Sequence, residues 1–170
     1  LTALHDPEDP IGAVTEQELT QELAPAFVRE EGIWRYTSAQ DEIDLISGEH
    51  VETTPFGILD VSAVAAMTNA ENIRLDVAMG ISEGQRKSAK ASVELYVDMQ
   101  GINDSGIPEA KRIIASAPQG QAHFTALGVV TVIEAMFESS FTGFVLPEQL
   151  LKPEVALAAM QQAGVELIEA

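Results

Sequence analysis

The 170-residue chain contains no cysteine. This excludes a disulfide framework and any thiolate nucleophile or thiolate metal site, and it fits a reducing compartment, so a cytoplasmic location is expected. Basic residues are scarce: nine Lys and Arg stand against 27 Asp and Glu, a formal charge of −18 with a pI near 4.2. Such a chain repels phosphate backbones, which excludes nucleic acid as a partner. Aromatic residues make up only 5%, so the core must be built mainly from Ala, Val, Leu and Ile. No apolar run approaches the roughly 20 residues of a membrane span; the longest, residues 124–137, is interrupted by Thr131 and Glu134. The acidic N-terminus lacks the basic region of a signal peptide, and opening on Leu1 rather than Met points to a piece of a longer product. Neither G-x-G-x-x-G nor a phosphate loop occurs, so the chain alone is expected to bind no dinucleotide.

What remains is a hydrophobic content of 46% in a chain long enough for one real core. Charge is unevenly spread. Residues 1–60 carry two basic residues, Arg29 and Arg35, against fourteen acidic ones, a net −12, whereas residues 61–170 carry seven against thirteen, a net −6. The expected organisation is an acidic, peripheral segment over residues 1–49 with one short helix, followed by an α+β domain over 50–170. Residues 1–13, with His5-Asp6-Pro7-Glu8-Asp9-Pro10, read as loop or linker. Thr15 and Glu18 have capping-box spacing, so a helix is expected from Thr15 to near Ala24, before Pro25. Residues 33–37 read as a strand, 41–48 as either a short helix or irregular, and 51–56 as extended.

The signals sharpen after Asp60, where a short helix is expected up to Asn69. Alternation predicts strands near 73–79, 90–100 and 109–116, forming an antiparallel or mixed sheet. In the second strand Ala91, Val93, Leu95, Val97 and Met99 share one face. Ser92, Glu94, Tyr96 and Asp98 share the other, which is expected to meet solvent or a partner. Helices are expected near 120–137 and 153–163, packed on one face of the sheet. The first carries an apolar stripe of Ala122, Ala126, Val129, Val130, Ile133 and Phe137. Gly128 in its middle suggests close packing on a neighbouring backbone. Pro153 and Gly164 bracket the second helix, and 165–168 can add a final strand.

Few residues carry chemistry. Gly80-Ile81-Ser82-Glu83-Gly84 matches the G-x-S-x-G nucleophile elbow, but the elbow needs a helix after the serine. Residues 85–88 are expected to lead into another strand, which makes Ser82 an ordinary turn residue. Glu49, His50 and Glu52 are too close along an extended segment to converge on a metal. The acidic clusters lack calcium-loop spacing, so they read as solvated faces and no metal site is expected. His123 differs, because it stands in the first helical turn with Gln121 and Thr125. A helix start favours anionic ligands, and these three residues are the substrate- or cofactor-adjacent candidates. The alternative is that Gln121 and Thr125 cap the helix while His123 is a partly buried spacer.

Gly120-Gln121-Ala122-His123-Phe124-Thr125-Ala126-Leu127-Gly128, then Gly143-Phe144-Val145-Leu146-Pro147-Glu148-Gln149 and a helix closing on Gly164-Val165, resembles the C-terminal part of saccharopine dehydrogenase-like NAD(P)-dependent oxidoreductases. Residues 54–61 and 68–74 look like the lead into the same family's sheet. The resemblance covers residues 50–170 and implies a substrate-facing, dimer-forming domain. Its first helical turn would point at a cleft closed by a Rossmann domain, supplied in cis or in trans and holding NAD(P). It also implies a small amino-acid-like or imine substrate. The catalytic residues are not assigned by it, and the Rossmann half is absent from these residues. A non-catalytic assembly module using the exposed sheet face around Tyr96 is the alternative.

Overall fold

The computed structural model describes residues 1–20 and 23–170. Their architecture is α+β, a curled mixed sheet of seven strands with a separate two-stranded ribbon. The strands of the large sheet are β1 (Thr2–His5), β4 (Asp41–Asp44), β5 (His50–Pro55), β6 (Asp76–Met79), β7 (Val93–Ile102), β8 (Pro108–Ala117) and β9 (Glu166–Glu169). The ribbon is β2 (Ala26–Glu30) and β3 (Ile33–Thr37). The helices are α1 (Ala13–Thr20), α2 (Asp60–Met67), α3 (Glu83–Ser88), α4 (Gln121–Glu138), α5 (Pro147–Leu150) and α6 (Pro153–Gln162). The capping-box reading rests on the side chain of Glu18, which lies outside the described residues, as do residues 21 and 22 of the same expected helix.

The strand order is β4-β5-β6-β1-β7-β8-β9, and here the expected linker needs correction. Residues 2–5 are a strand in the middle of the sheet, parallel to β6 and antiparallel to β7. β6 and β7 are therefore not a hairpin. Nor is the N-terminal segment peripheral, since β4 also joins the sheet and Leu4, Ile43 and Leu45 lie in the core. A four-residue strand shows no alternation long enough to detect; two neighbours, not its own pattern, hold it.

Register explains the core. Ile43 pairs Val51, Ala78 pairs both Thr53 and Leu4, Thr2 pairs Tyr96, and Ile114 pairs both Tyr96 and Ile168. Paired residues and their i±2 neighbours share a face. One face of the sheet thus sends a residue from every strand into one cluster, comprising Leu4, Ile43, Leu45, Ala78, Tyr96 and Ile114 with Val51 and Ile168 against it. On the opposite face Val93, Ala115, Ala117 and Leu167 pack against Phe124 and Leu127 of α4 and Met160 of α6.

Two expectations reverse on this frame. The polar face of β7 is the inward one: Tyr96 is 0% exposed, and Ser92 and Glu94 are buried with it. Tyr96 is therefore no part of an exposed interface. The apolar stripe of α4 also faces away from the sheet, with Ala122, Ala126, Val129, Val130, Ile133 and Phe137 all exposed. The packed face runs through Phe124, Leu127 and Thr131, whose hydroxyl donates to the Leu127 carbonyl at 2.9 Å. Gly128 packs on no neighbouring backbone, because a Cβ there would meet nothing within 4 Å.

Leu4→Ala should cost roughly 3 kcal/mol in a denaturant unfolding curve, whereas a linker residue would leave the midpoint unchanged. Gly128→Ala should gain about 1 kcal/mol from helix propensity alone, read from the same curves.

Candidate functional site

Polar groups converge where β1 ends. Its C-terminal end delivers the loop Asp6-Pro7-Glu8-Asp9 to the junction of β6 with α3, and a turn closes it through Asp9 N–H donating to the Asp6 carbonyl at 2.9 Å. The Asp6 carboxylate accepts from the Ser82 amide at 2.8 Å, the Ser82 hydroxyl at 2.7 Å and the Glu8 amide at 3.0 Å. With its side-chain nitrogen turned toward Asp6, Gln85 also donates to it at 2.8 Å.

Ser82 is the N-cap of α3, accepting from Gln85 N–H at 3.2 Å, and it also accepts from Ser92 N–H at 3.0 Å. From Ser92 the network passes to Glu94, which accepts from the Ser92 hydroxyl at 3.2 Å, the Glu83 amide at 2.7 Å and the Tyr96 hydroxyl at 2.9 Å. Gly84 lies so close to Ser92 that a Cβ would sit 2.5 Å from its Oγ. The residue after Ser82 therefore does begin a helix, contrary to the strand expected there. Ser82 is still no elbow nucleophile. Its backbone is relaxed at φ −70°, ψ 158°, its hydroxyl is fully buried, and both hydroxyl roles are taken.

The second carboxylate of the loop serves α4. Gln121 N–H donates to Asp9 at 2.7 Å. α4 has no Ser, Thr, Asp or Asn at its own N-cap, where Gly120 stands at φ 85°, so its free amides need an acceptor from elsewhere. A Cβ on Gly120 would fall 2.2 Å from Asp9 Oδ1, and only glycine admits the carboxylate. The anion at this helix start is thus the chain's own. Gln121 and His123 are half-buried beside it and Thr125 is exposed. The three stand at the start of α4, with His123 on the side of the helix opposite Gln121 and Thr125, and two open cavities, at α4–α5–α6 and beside β2–β3, are lined by other residues.

Electrostatics follow the contacts. Burial pushes the Asp6 carboxyl upward most strongly. The Ser82 and Glu8 amides, the Ser82 hydroxyl and nearby His5 outweigh it and hold the carboxyl below its ordinary 3.8. Tyr96 is driven well above the ordinary phenol range by burial and then by the Glu94 carboxylate. Arg112 is raised chiefly by its Asp98 partner at 2.6 Å; it also donates to the Asp44 carbonyl and lies over the Tyr96 ring. His5 is buried, with Nδ1 lacking a hydrogen-bond partner among the described residues. Among those residues, no three His, Asp or Glu side chains are placed to hold a metal ion, and no helix is long and apolar enough to cross a membrane.

Asp6 and Asp9 are the residues that sequence reading passed over as solvated acids. The available signal was indirect, namely a helix start at Gly120-Gln121 without a capping side chain. In comparisons with known proteins, no family model and no curated protein matches the chain.

Asp6→Ala strands the buried amide and hydroxyl of Ser82 and should cost roughly 3 kcal/mol. Because the folded carboxyl sits below its ordinary value, the unfolded chain binds the proton first. Its stabilisation is complete above the ordinary value of 3.8 and is lost as pH falls through the lower folded one. Acid unfolding curves should be flatter for Asp6→Ala than for the wild type.

Proposed function

We propose that this domain works by association through the outer face of α4, as the substrate-facing and dimer-forming domain of a saccharopine dehydrogenase-like NAD(P)-dependent oxidoreductase. The observation that carries the association is the stripe Ala126, Val129, Val130, Ile133, Met136 and Phe137. These residues are exposed on the side of α4 opposite its packed face, and Phe137 is 88% exposed. A contiguous exposed apolar surface of this kind marks an interaction site. Residues 113–133 hold no charged side chain in a chain of net charge −18. Among the described residues, the outer stripe of α4 is a long apolar surface on which two copies would oppose few acids, with Glu134 and Glu138 on the same helix near its C-terminal end.

The oxidoreductase setting rests on the resemblance of residues 120–128 and 143–149. The chain's own residues do not fit a dinucleotide: the first turn of α4 is capped by Asp9, whose negative charge opposes a pyrophosphate. NAD(P) in this reading belongs to a Rossmann half in cis or in trans. The reaction is hydride transfer to or from a small amino-acid-like or imine substrate. Gln121, His123 and Thr125 line the substrate side of the cleft, acting through side chains because the Gln121 amide is already engaged.

Sedimentation should show a dimer that strengthens with salt, because screening removes the repulsion between two acidic chains. Ile133→Asp places a carboxylate in the stripe and should weaken association roughly hundredfold, with an unchanged melting temperature at concentrations where both proteins are monomeric. A wild-type monomer at every concentration overturns the association. A parent reading frame without strand–G-x-G-x-x-G–helix upstream, together with no co-purifying partner chain that carries one, overturns the oxidoreductase.

A further inference from the structure

The packed side of α4 changes chemistry along its length. Phe124, Leu127 and Thr131 lie on one side of the helix. The same spacing of three and four residues, carried on, falls on Glu134, Ala135 and Glu138. These last three line a cavity of about 420 Å³, whose other walls are the segment after α4, with Phe141, and the start of α6, with Lys152 and Val155.

Both acids stand where a helix tolerates them least. Glu134 and Glu138 are four residues apart, a like-charge spacing that destabilises a helix. They also stand at its C-terminal end, where the macrodipole is already negative, and the last turn of α4 has no basic residue. Lys152 lines the same cavity from the N-cap of α6. Yet among the described residues neither Lys152 nor either glutamate forms an ion pair or a side-chain hydrogen bond. Charges of opposite sign thus line one cavity without meeting across it. Glu148 and Glu154, in the first turns of α5 and α6, suit the dipoles of those helices and do not line the cavity.

We infer that this cavity binds a small ω-amino carboxylate, an ammonium and a carboxylate joined by a chain of methylenes. The ammonium meets Glu134 and Glu138, where it relieves both the like-charge pair and the negative helix end. The carboxylate meets Lys152 at the positive start of α6, and the methylenes cover Phe141, Leu151 and Val155. Each simpler ligand leaves a charge opposed: an amine alone does not answer Lys152, and a carboxylate alone meets two glutamates. An α-amino acid, with both charges on one carbon, is the harder fit, because the opposed charges here stand on separate helices. The site lies on the side of α4 opposite its outer stripe and does not depend on that stripe being paired.

The probe is ε-aminocaproate, set against three relatives of equal carbon number: norleucine, its α-amino isomer; caproate, which lacks the amine; and hexylamine, which lacks the carboxylate. Calorimetric titration of the full chain should show saturable one-site binding of ε-aminocaproate, about tenfold tighter than any of the three and weakened by salt. Backbone amide shifts on titration should centre on residues 134–141 and 150–155. Glu138→Gln and Lys152→Met should each weaken binding roughly tenfold. Glu138→Gln also removes the like-charge pair, so it should hold or raise the melting temperature of the unliganded protein, which separates a lost contact from lost folding. Absent saturation overturns the proposal, as do equal binding by any of the three relatives, shifts centred elsewhere, or full affinity in Lys152→Met. Ile133→Asp should leave the titration unchanged, so failure of the outer α4 interface is distinguishable from failure of this site.

Discussion

The loop carboxylates of Asp6 and Asp9 hold the starts of α3 and α4, and the arrangement of the sheet depends on their being there. Each helix start presents backbone amides that the helix itself does not satisfy. Asp6 answers for α3 through the Ser82 amide and hydroxyl, and Asp9 answers for α4 through the Gln121 amide. A four-residue loop reaches both only if the strand before it runs between β6, which leads into α3, and β7, onto whose face α4 packs. The central position of β1 and the double capping are thus one constraint. Gly120 and Gly84 belong to it too, since a side chain at either would collide with Asp9 or Ser92.

Burial in this protein is unusually polar for so aliphatic a chain. Glu94 lies at 1% exposure in the inner face, at a cost recovered only because three donors reach its two oxygens. The apolar residues that would normally take that place are spent outside. The outer stripe of α4, Phe141 and Phe144, and the aromatic face of β3 all remain exposed.

α4 shows both tendencies in one helix. Its outer side is apolar, whereas its packed side ends in Glu134 and Glu138, beside a cavity that Lys152 of α6 also lines. The stripe and the cavity lie on opposite sides of the helix, and neither requires the other.

Much of the fold was legible from residues. The strands near 90–100 and 109–116 and the helices near 120–137 and 153–163 stand close to where alternation and capping put them, because each runs long enough for its period to show; of the strand expected over 73–79 only Asp76–Met79 is formed, Ile73 bridging Arg29 instead. Alternation in residues 91–99 established that β7 has two unlike faces, but which face is covered depends on neighbours: Glu83, Ser92 and Tyr96 turn Glu94 into an inward residue. Of the candidate site, the polar turn at Gln121, His123 and Thr125 was visible as spacing, while its counter-charge, Asp9, was not. By itself the sequence determined charge, the absence of disulfides and the local periods of the longer elements. Tertiary structure alone decided the strand order, the burial of Asp6 and Asp9, and the outward turn of the α4 stripe, because these rest on hydrogen bonds such as Asp9 to Gln121, 112 residues apart, and no local pattern encodes a partner at that distance.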